Sequence, residues 1–385
     1  MKKIYPIAIL AAVAIALAGC TGAGSAPKAS FDYTLSSPDG TLTAAVGLTP
    51  EGQPCYKLDR SGTPVIKPSR LGYDLADGSN LRTGFKITGT RTGGLDETWE
   101  PVWGEESQIR NHYNELLVSM EREDGVKMNL RLRLYDDGLG LRYEFPQDGK
   151  LRYFNVKEEL TEFAMAGDHT AWWLSGDYDT QEYNYSRTRI SEIHSHSEKT
   201  RLSNASATGF GPDGVQTALQ LKTDDGLYIN IHEAAVINYP TTNLLVDGAT
   251  YTFRTWLTPD AQGLKGRLQA PCTSPWRTVM VVDDARKALA SRLILNLNEP
   301  CALEDVSWIH PVKYMGVWWE MITGKTEWSY THDVPSVQLG VTDYKALKPH
   351  GKHGANNENV RRYIDFAAAN GFDALLIEGW NEGWE

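Results

Sequence analysis

The chain has 385 residues, which at roughly 150 residues per domain holds two to three domains. Apolar residues make up 41% and charged residues 23%, a balance that excludes both a disordered chain and a multi-span membrane protein. The formal net charge of −11 leaves no basic footprint for nucleic acid, so no nucleic-acid partner is expected. Trp and Tyr, 12 and 18 against 9 Phe, each pair a flat apolar face with a polar edge. That combination suits stacking on sugars as well as β-rich cores.

Lys2 and Lys3 precede an apolar run over residues 7–18, which is too short to span a bilayer comfortably and reads as an export signal. The ending Leu17-Ala18-Gly19-Cys20 resembles the bacterial lipobox, in which Cys20 is lipidated and becomes the mature N-terminus. Residues 1–20 are therefore expected to be a lipoprotein signal and 21–30 a flexible tether. Thr21, where inner-membrane retention uses Asp, points to outer-membrane attachment, with the lipid as the sole membrane contact; Thr21 does not set the membrane face, and the periplasmic side is the expected one. Cys55, Cys272 and Cys301 form neither a disulfide framework nor a metal-ligand spacing.

From residue 31 to 298 the pattern has period two. Val126, Met128, Leu130, Leu132 and Leu134 alternate, Asp136-Asp137-Gly138 turns the chain, and Leu139, Leu141, Tyr143 and Phe145 alternate back, which predicts a β-hairpin. Further strands are predicted over 42–48, 217–221, 227–232 and 251–257, with a helix over 284–291. Many short strands with Asp/Gly turns imply a large antiparallel sandwich. Beyond Pro300 the texture changes. The apolar run 312–319 predicts a strand buried on both faces. A helix over 358–369 follows, with Val360, Tyr363, Ile364 and Ala367 on one face, and then a second strand over 373–378. This βαβ order opens a parallel sheet. If it begins a (β/α)8 barrel, which needs about 250 residues, residues 299–385 hold a linker and only its first part. The expected fold is thus a mainly β sandwich followed by a barrel truncated after its second strand.

In such a barrel the side chains at the C-terminal strand ends line the active site. Trp318, Trp319 and Glu320 end the first strand and Glu378 the second, and residues 378–385 are dense in carboxylates and indoles. Cleaving a sugar linkage needs carboxylates as acid and base and aromatic faces against the ring; a capped loop of solvated glutamates is the competing reading. Asp177, Asp179 and Glu182 put three acids in six residues between strands. They could ligate Ca2+ through oxygen or form a solvated loop. His194 and His196 are too few for a zinc site and read as surface.

These stretches resemble glycoside hydrolase family 97. The resemblance is carried by residues 98–106 and 109–115, by Gly176-Asp177-Tyr178-Asp179-Thr180-Gln181-Glu182-Tyr183, and by residues 223–228 and 231–235. It continues through Pro275-Trp276-Arg277-Thr278, Lys313-Tyr314-Met315-Gly316-Val317-Trp318-Trp319 and residues 378–385. The resemblance implies an N-terminal β-supersandwich, a catalytic (β/α)8 barrel and a small C-terminal β-domain. Its closest branch is the calcium-dependent, inverting α-glucosidases of bacteroidete starch utilisation, which release terminal glucose from α-gluco-oligosaccharides. It assigns Glu182 as one calcium ligand, and Trp318 and Glu378 to the subsite of the non-reducing-end sugar. Trp318 gives that subsite shape and Glu378 accepts hydroxyl hydrogen bonds. The family's general acid, base and remaining calcium glutamates are expected beyond Glu385, so no catalytic residue is assigned here and the 385-residue chain is expected to be inactive alone. A retaining α-galactosidase of the same family, and a non-catalytic carbohydrate-binding lipoprotein, are the alternatives.

Overall fold

The computed structural model describes residues 26–200, 207–334 and 340–378. Cys20 and residues 379–385 lie outside the described residues. The chain divides into two compact units, Met1–Glu97 with Asn111–Glu299, and Thr98–Arg110 with Pro300–Glu385. No helix among the described residues is long and apolar enough to cross a membrane.

The first unit is built from antiparallel sheets. Ser30–Ser36, Leu42–Leu48, Pro54–Arg60 and Thr63–Arg70 form a meander. A ten-stranded sheet runs in the order Ser186–Arg189, Thr170–Trp173, Leu219–Lys222, Tyr228–Ala234, Trp276–Val282, Gly138–Phe145, Lys127–Tyr135, Ile109–Arg122 and Phe85–Trp99, with Cys272–Thr273 pairing Gly138–Phe145. Smaller sheets contain Tyr153–Glu159 and the pair Thr242–Asp247 with Thr252–Leu257. The expected hairpin is present. Leu134 pairs with Leu139 and Tyr135 with Gly138, so its turn is Asp136-Asp137 and the glycine already belongs to the returning strand.

Strand Trp276–Val282 is buried along its whole length because both faces are covered, as expected of a central strand. Val279 and Val281 enter the main core, while Trp276, Met280 and Val282 join a second cluster with Tyr113, Tyr135, Leu293 and Leu297. Gly140 permits that second cluster. A Cβ there would lie 2.8 Å from the Leu297 methyl groups and 3.2 Å from the Trp276 ring, so a side chain would force the helix Leu293–Asn296 off the sheet.

A polar network fastens three of the sheets inside the core. Arg277, 1% exposed, donates from Nε and Nη2 to Glu159 at 2.8 and 2.7 Å and from Nη1 to Glu233 at 2.6 Å. Thr161 and Tyr239 donate to Glu159 at 2.7 and 2.9 Å, and the Thr242 amide donates to Glu233 at 3.0 Å. Burial works to raise the Glu159 carboxyl, but Arg277 and these donors outweigh it and hold it below the usual range.

Several sequence expectations are corrected. Thr217 and Ala218 fall outside both Gly214–Gln216 and Leu219–Lys222. In the second unit the first strand is only Tyr314–Gly316, with Val312 and Tyr314 exposed, and Trp319–Ile322 is helical. A short apolar run fits a strand or a helix equally well, and here it is divided between them. The later helix, Asn357–Ala369, starts where the Asn356 side chain accepts from the Asn359 amide at 2.9 Å. Of its predicted apolar face only Ala367 is buried. The second strand is Ala374–Leu376, parallel to the first.

Candidate functional site

In the first unit the acids lie where two strands stop pairing. Trp173 pairs with Ser186, and the chain between them loops out over a cleft of about 560 Å3 that Asp177, Glu182, Gln216, His232 and Glu233 help to line. Gln216 pins the loop, donating to the Ser175 and Thr180 carbonyls at 2.8 and 2.9 Å. The three acids do different jobs. Asp177 is buried and closes the loop on itself, accepting from the Asp179 and Thr180 amides at 2.8 and 3.0 Å and from the Tyr183 hydroxyl at 2.8 Å. Desolvation pushes its pKa up, but these donors hold it below the ordinary carboxylate value. Tyr183 is pushed up to about 12 by burial and by the Asp177 carboxylate, so it remains a donor. Asp179 accepts from the Thr208 hydroxyl. Glu182, like Asp179, is exposed on the cleft wall, where a carboxylate can meet an added cation.

The cleft rim is braced from behind. Tyr178 stacks on Phe210 with centroids 4.8 Å apart and accepts from Trp256 Nε1 at 2.6 Å. The Lys265 ammonium lies 3.4 Å over the Trp256 ring and pairs with the buried Glu158. Burial lifts Glu158 and depresses Lys265, while each partner's charge works against that. A larger groove of about 610 Å3 lies beside helix Ala285–Ala290. Its lining has no carboxylate, so it offers no acid–base chemistry.

In the second unit the strand register sets the site. Tyr314, Met315 and Gly316 pair with Ala374, Leu375 and Leu376. Asp373 fixes the strand starts, its amide donating to the Lys313 carbonyl at 2.8 Å and its side chain accepting from the Lys313 amide at 3.0 Å. Trp318 and Glu378 therefore each stand two residues beyond a C-terminal strand end. Trp318 is half-buried, packs edge-on against Trp319 at 5.3 Å, and folds back over Gly316, where a Cβ would come within 2.6 Å of the indole nitrogen. Glu320, read from sequence as a strand-end acid, is instead buried and holds helix Asn357–Ala369 through Arg362 and, at 2.8 Å, Asn359. It is a brace, not a free acid. His194, as expected, is exposed and meets Asp213 at 2.7 Å.

The described residues thus combine an antiparallel β unit with a parallel βαβ unit that carries an indole and a carboxylate just beyond its strand ends. The family described as Glycosyl-hydrolase 97 N-terminal matches residues 35–300 and Glycoside hydrolase 97 matches residues 318–385. The chain belongs to glycoside hydrolase family 97. It is 27% identical over 371 residues to a retaining alpha-galactosidase of Bacteroides thetaiotaomicron, covering 93% of this chain and 51% of the relative. Among solved structures it is similar to a family 97 enzyme from Pseudoalteromonas sp. strain K8 in complex with acarbose, at 31% identity and TM-score 0.75, covering 92% of this chain and 48% of that one. A variant of that enzyme in complex with panose matches at 32% identity and TM-score 0.74, with the same coverage. The chain spans about half the length of these relatives.

Proposed function

We propose that this chain is part of an exo-acting α-glucosidase that removes terminal α-linked glucose from malto-oligosaccharides with inversion. The observation that carries the reading is the pair Trp318 and Glu378, set level at the ends of adjacent parallel strands. An indole face binds the C–H side of a pyranose while an exposed carboxylate accepts from its hydroxyls. Gluco-configured substrates are supported by the similar structures, which hold acarbose and panose. The general acid and base are assigned to the half of the relatives' length that this chain does not span. On that assignment the 385-residue chain alone hydrolyses neither α-glucosides nor α-galactosides.

Calcium dependence belongs to the same proposal. Glu182 fits one ligand position: it is an exposed acid on a cleft wall, whereas Asp177 is buried and accepts from the loop's own amides. Bound there, Ca2+ supplies a hard positive charge that organises carboxylate oxygens. The expected location is the outer membrane, through a lipid on Cys20.

The retaining alpha-galactosidase relative favours a second reading, an α-galactosidase acting through a carboxylate nucleophile. The product of the native gene, assayed on both glycosides with the first-formed anomer followed by proton NMR, separates them. β-Glucose supports the proposal, and α-galactose supports the second reading.

A further inference from the structure

We propose that Glu327, His332 and His350 form a binding site for a divalent transition-metal cation of the Zn2+ class. They lie in the segment that connects strand Tyr314–Gly316 to helix Asn357–Ala369, in a unit where Glu378 and Trp318 are the expected sugar contacts. Glu327 Oε2 is 3.2 Å from His332 Nε2 and 3.7 Å from His350 Nε2, and all three ligand atoms fall within 4.8 Å of one another. Tetrahedral ligands held at about 2.1 Å from Zn2+ stand about 3.4 Å apart. Two of the three separations therefore fit. The third closes by moving His332, whose side chain is 68% exposed.

The backbone already brings these residues together. Glu327 bridges His353 and Thr331 bridges Pro349. The Glu327 amide donates to the Lys352 carbonyl at 2.8 Å and the His350 amide to the Tyr330 carbonyl at 3.2 Å. Two imidazoles and one carboxylate suit Zn2+, Co2+ or Ni2+ and not the all-oxygen preference of Ca2+, so the site is distinct in chemistry from the one proposed for Glu182.

Occupancy requires three local changes. Lys352 Nζ now sits 3.3 Å from Glu327 Oε1 and competes as a cation for the same carboxylate. His350 Nδ1 accepts from the Lys352 amide at 3.0 Å, while its Nε2 lies 3.0 Å from Ser329 Oγ. A metal on Nε2 moves the ring proton to Nδ1, which can then no longer accept the hydrogen bond from the Lys352 amide. The tilted rings of His332 and His350, with centroids 4.4 Å apart, also splay.

The test is titration of the full 385-residue chain with Zn2+ alone by calorimetry, and with Co2+ followed by visible absorption. The expected result is one equivalent bound, with the intense bands of four-coordinate Co2+, not displaced by excess Ca2+. Glu327→Gln and His332→Ala each weaken binding by at least about tenfold. Lys352→Gln tightens it, a gain that a misfolded variant cannot imitate. Absence of binding, or binding unchanged by all three substitutions, overturns the proposal.

Discussion

Trp318 and Glu378 occupy equivalent positions on adjacent parallel strands, each two residues past the paired residues Gly316 and Leu376. The Val317 amide donates to the Leu376 carbonyl at 3.1 Å, so the two backbones are still hydrogen-bonded one residue short of Trp318. Glu378→Gln removes a charged acceptor, a change of about 1.5–3 kcal/mol in binding. The expected outcome for the native gene product is a rise of roughly 10- to 100-fold in KM for a chromogenic α-glucoside, read by steady-state kinetics with folding checked by circular dichroism.

Gly316 is expected to matter through Trp318. The Cβ of Gly316→Ala meets the indole nitrogen at 2.6 Å and must displace the ring. Misplacing a binding group by about 1 Å costs up to about 100-fold. A fall in kcat/KM accompanied by a changed tryptophan fluorescence spectrum checks this, and an unchanged spectrum with full activity contradicts it.

Glu182 and Asp177 should separate cleanly when each is made an amide. Glu182→Gln is expected to weaken Ca2+ binding by at least about tenfold with little change in thermal stability, because it is exposed. Asp177→Asn should lower stability by about 1–3 kcal/mol, since its carboxylate accepts from two amides and a tyrosine. Calorimetric Ca2+ titration beside urea denaturation distinguishes the two effects.

Arg277 is the most sensitive single residue of the sandwich on this account. Arg277→Met strands Glu159 and Glu233, 0% and 7% exposed, without their cation. Removing one partner of a buried ion pair costs about 3–5 kcal/mol. Glu233→Gln leaves the Arg277–Glu159 pair intact and should cost less. Urea midpoints of the two variants give the order.

Acid should destabilise the first unit through two histidines. Burial lowers His169 and His232 below the ordinary value of 6.5, and the buried Nε2 of His169 and Nδ1 of His232 have no hydrogen-bond partner. Both are neutral in the fold, whereas the unfolded chain binds their protons near 6.5, so the unfolded state holds more protons below that pH. Stability is therefore complete above about 6.5 and falls as pH drops through the folded-state values. Denaturation midpoints at neutral and mildly acidic pH should show the fall, and His169→Gln should reduce it.

Much of the architecture is legible locally. Alternation marks the strands Leu42–Leu48 and Lys127–Tyr135, and Asp284 and Asn356 mark helix starts as side-chain caps, because period and capping are short-range properties. What stays hidden is set by distant pairing. Arg277 finds Glu159 across 118 positions. Thr208 engages Asp179 from 29 positions away. Glu320 resembled a site acid until Asn359 and Arg362 were brought against it by the helix packing. Likewise no spacing rule joins Glu327 and His332 to His350, which only the paired loop brings alongside.

The most direct test of the central claim is kcat/KM of the native gene product on p-nitrophenyl α-glucoside against the α-galactoside, with Ca2+ present and after chelation. The glucoside is expected to be preferred by at least about tenfold, a difference of about 1.4 kcal/mol in transition-state binding, and the activity to fall on chelation. Preference for the galactoside, or activity indifferent to chelation, would contradict it.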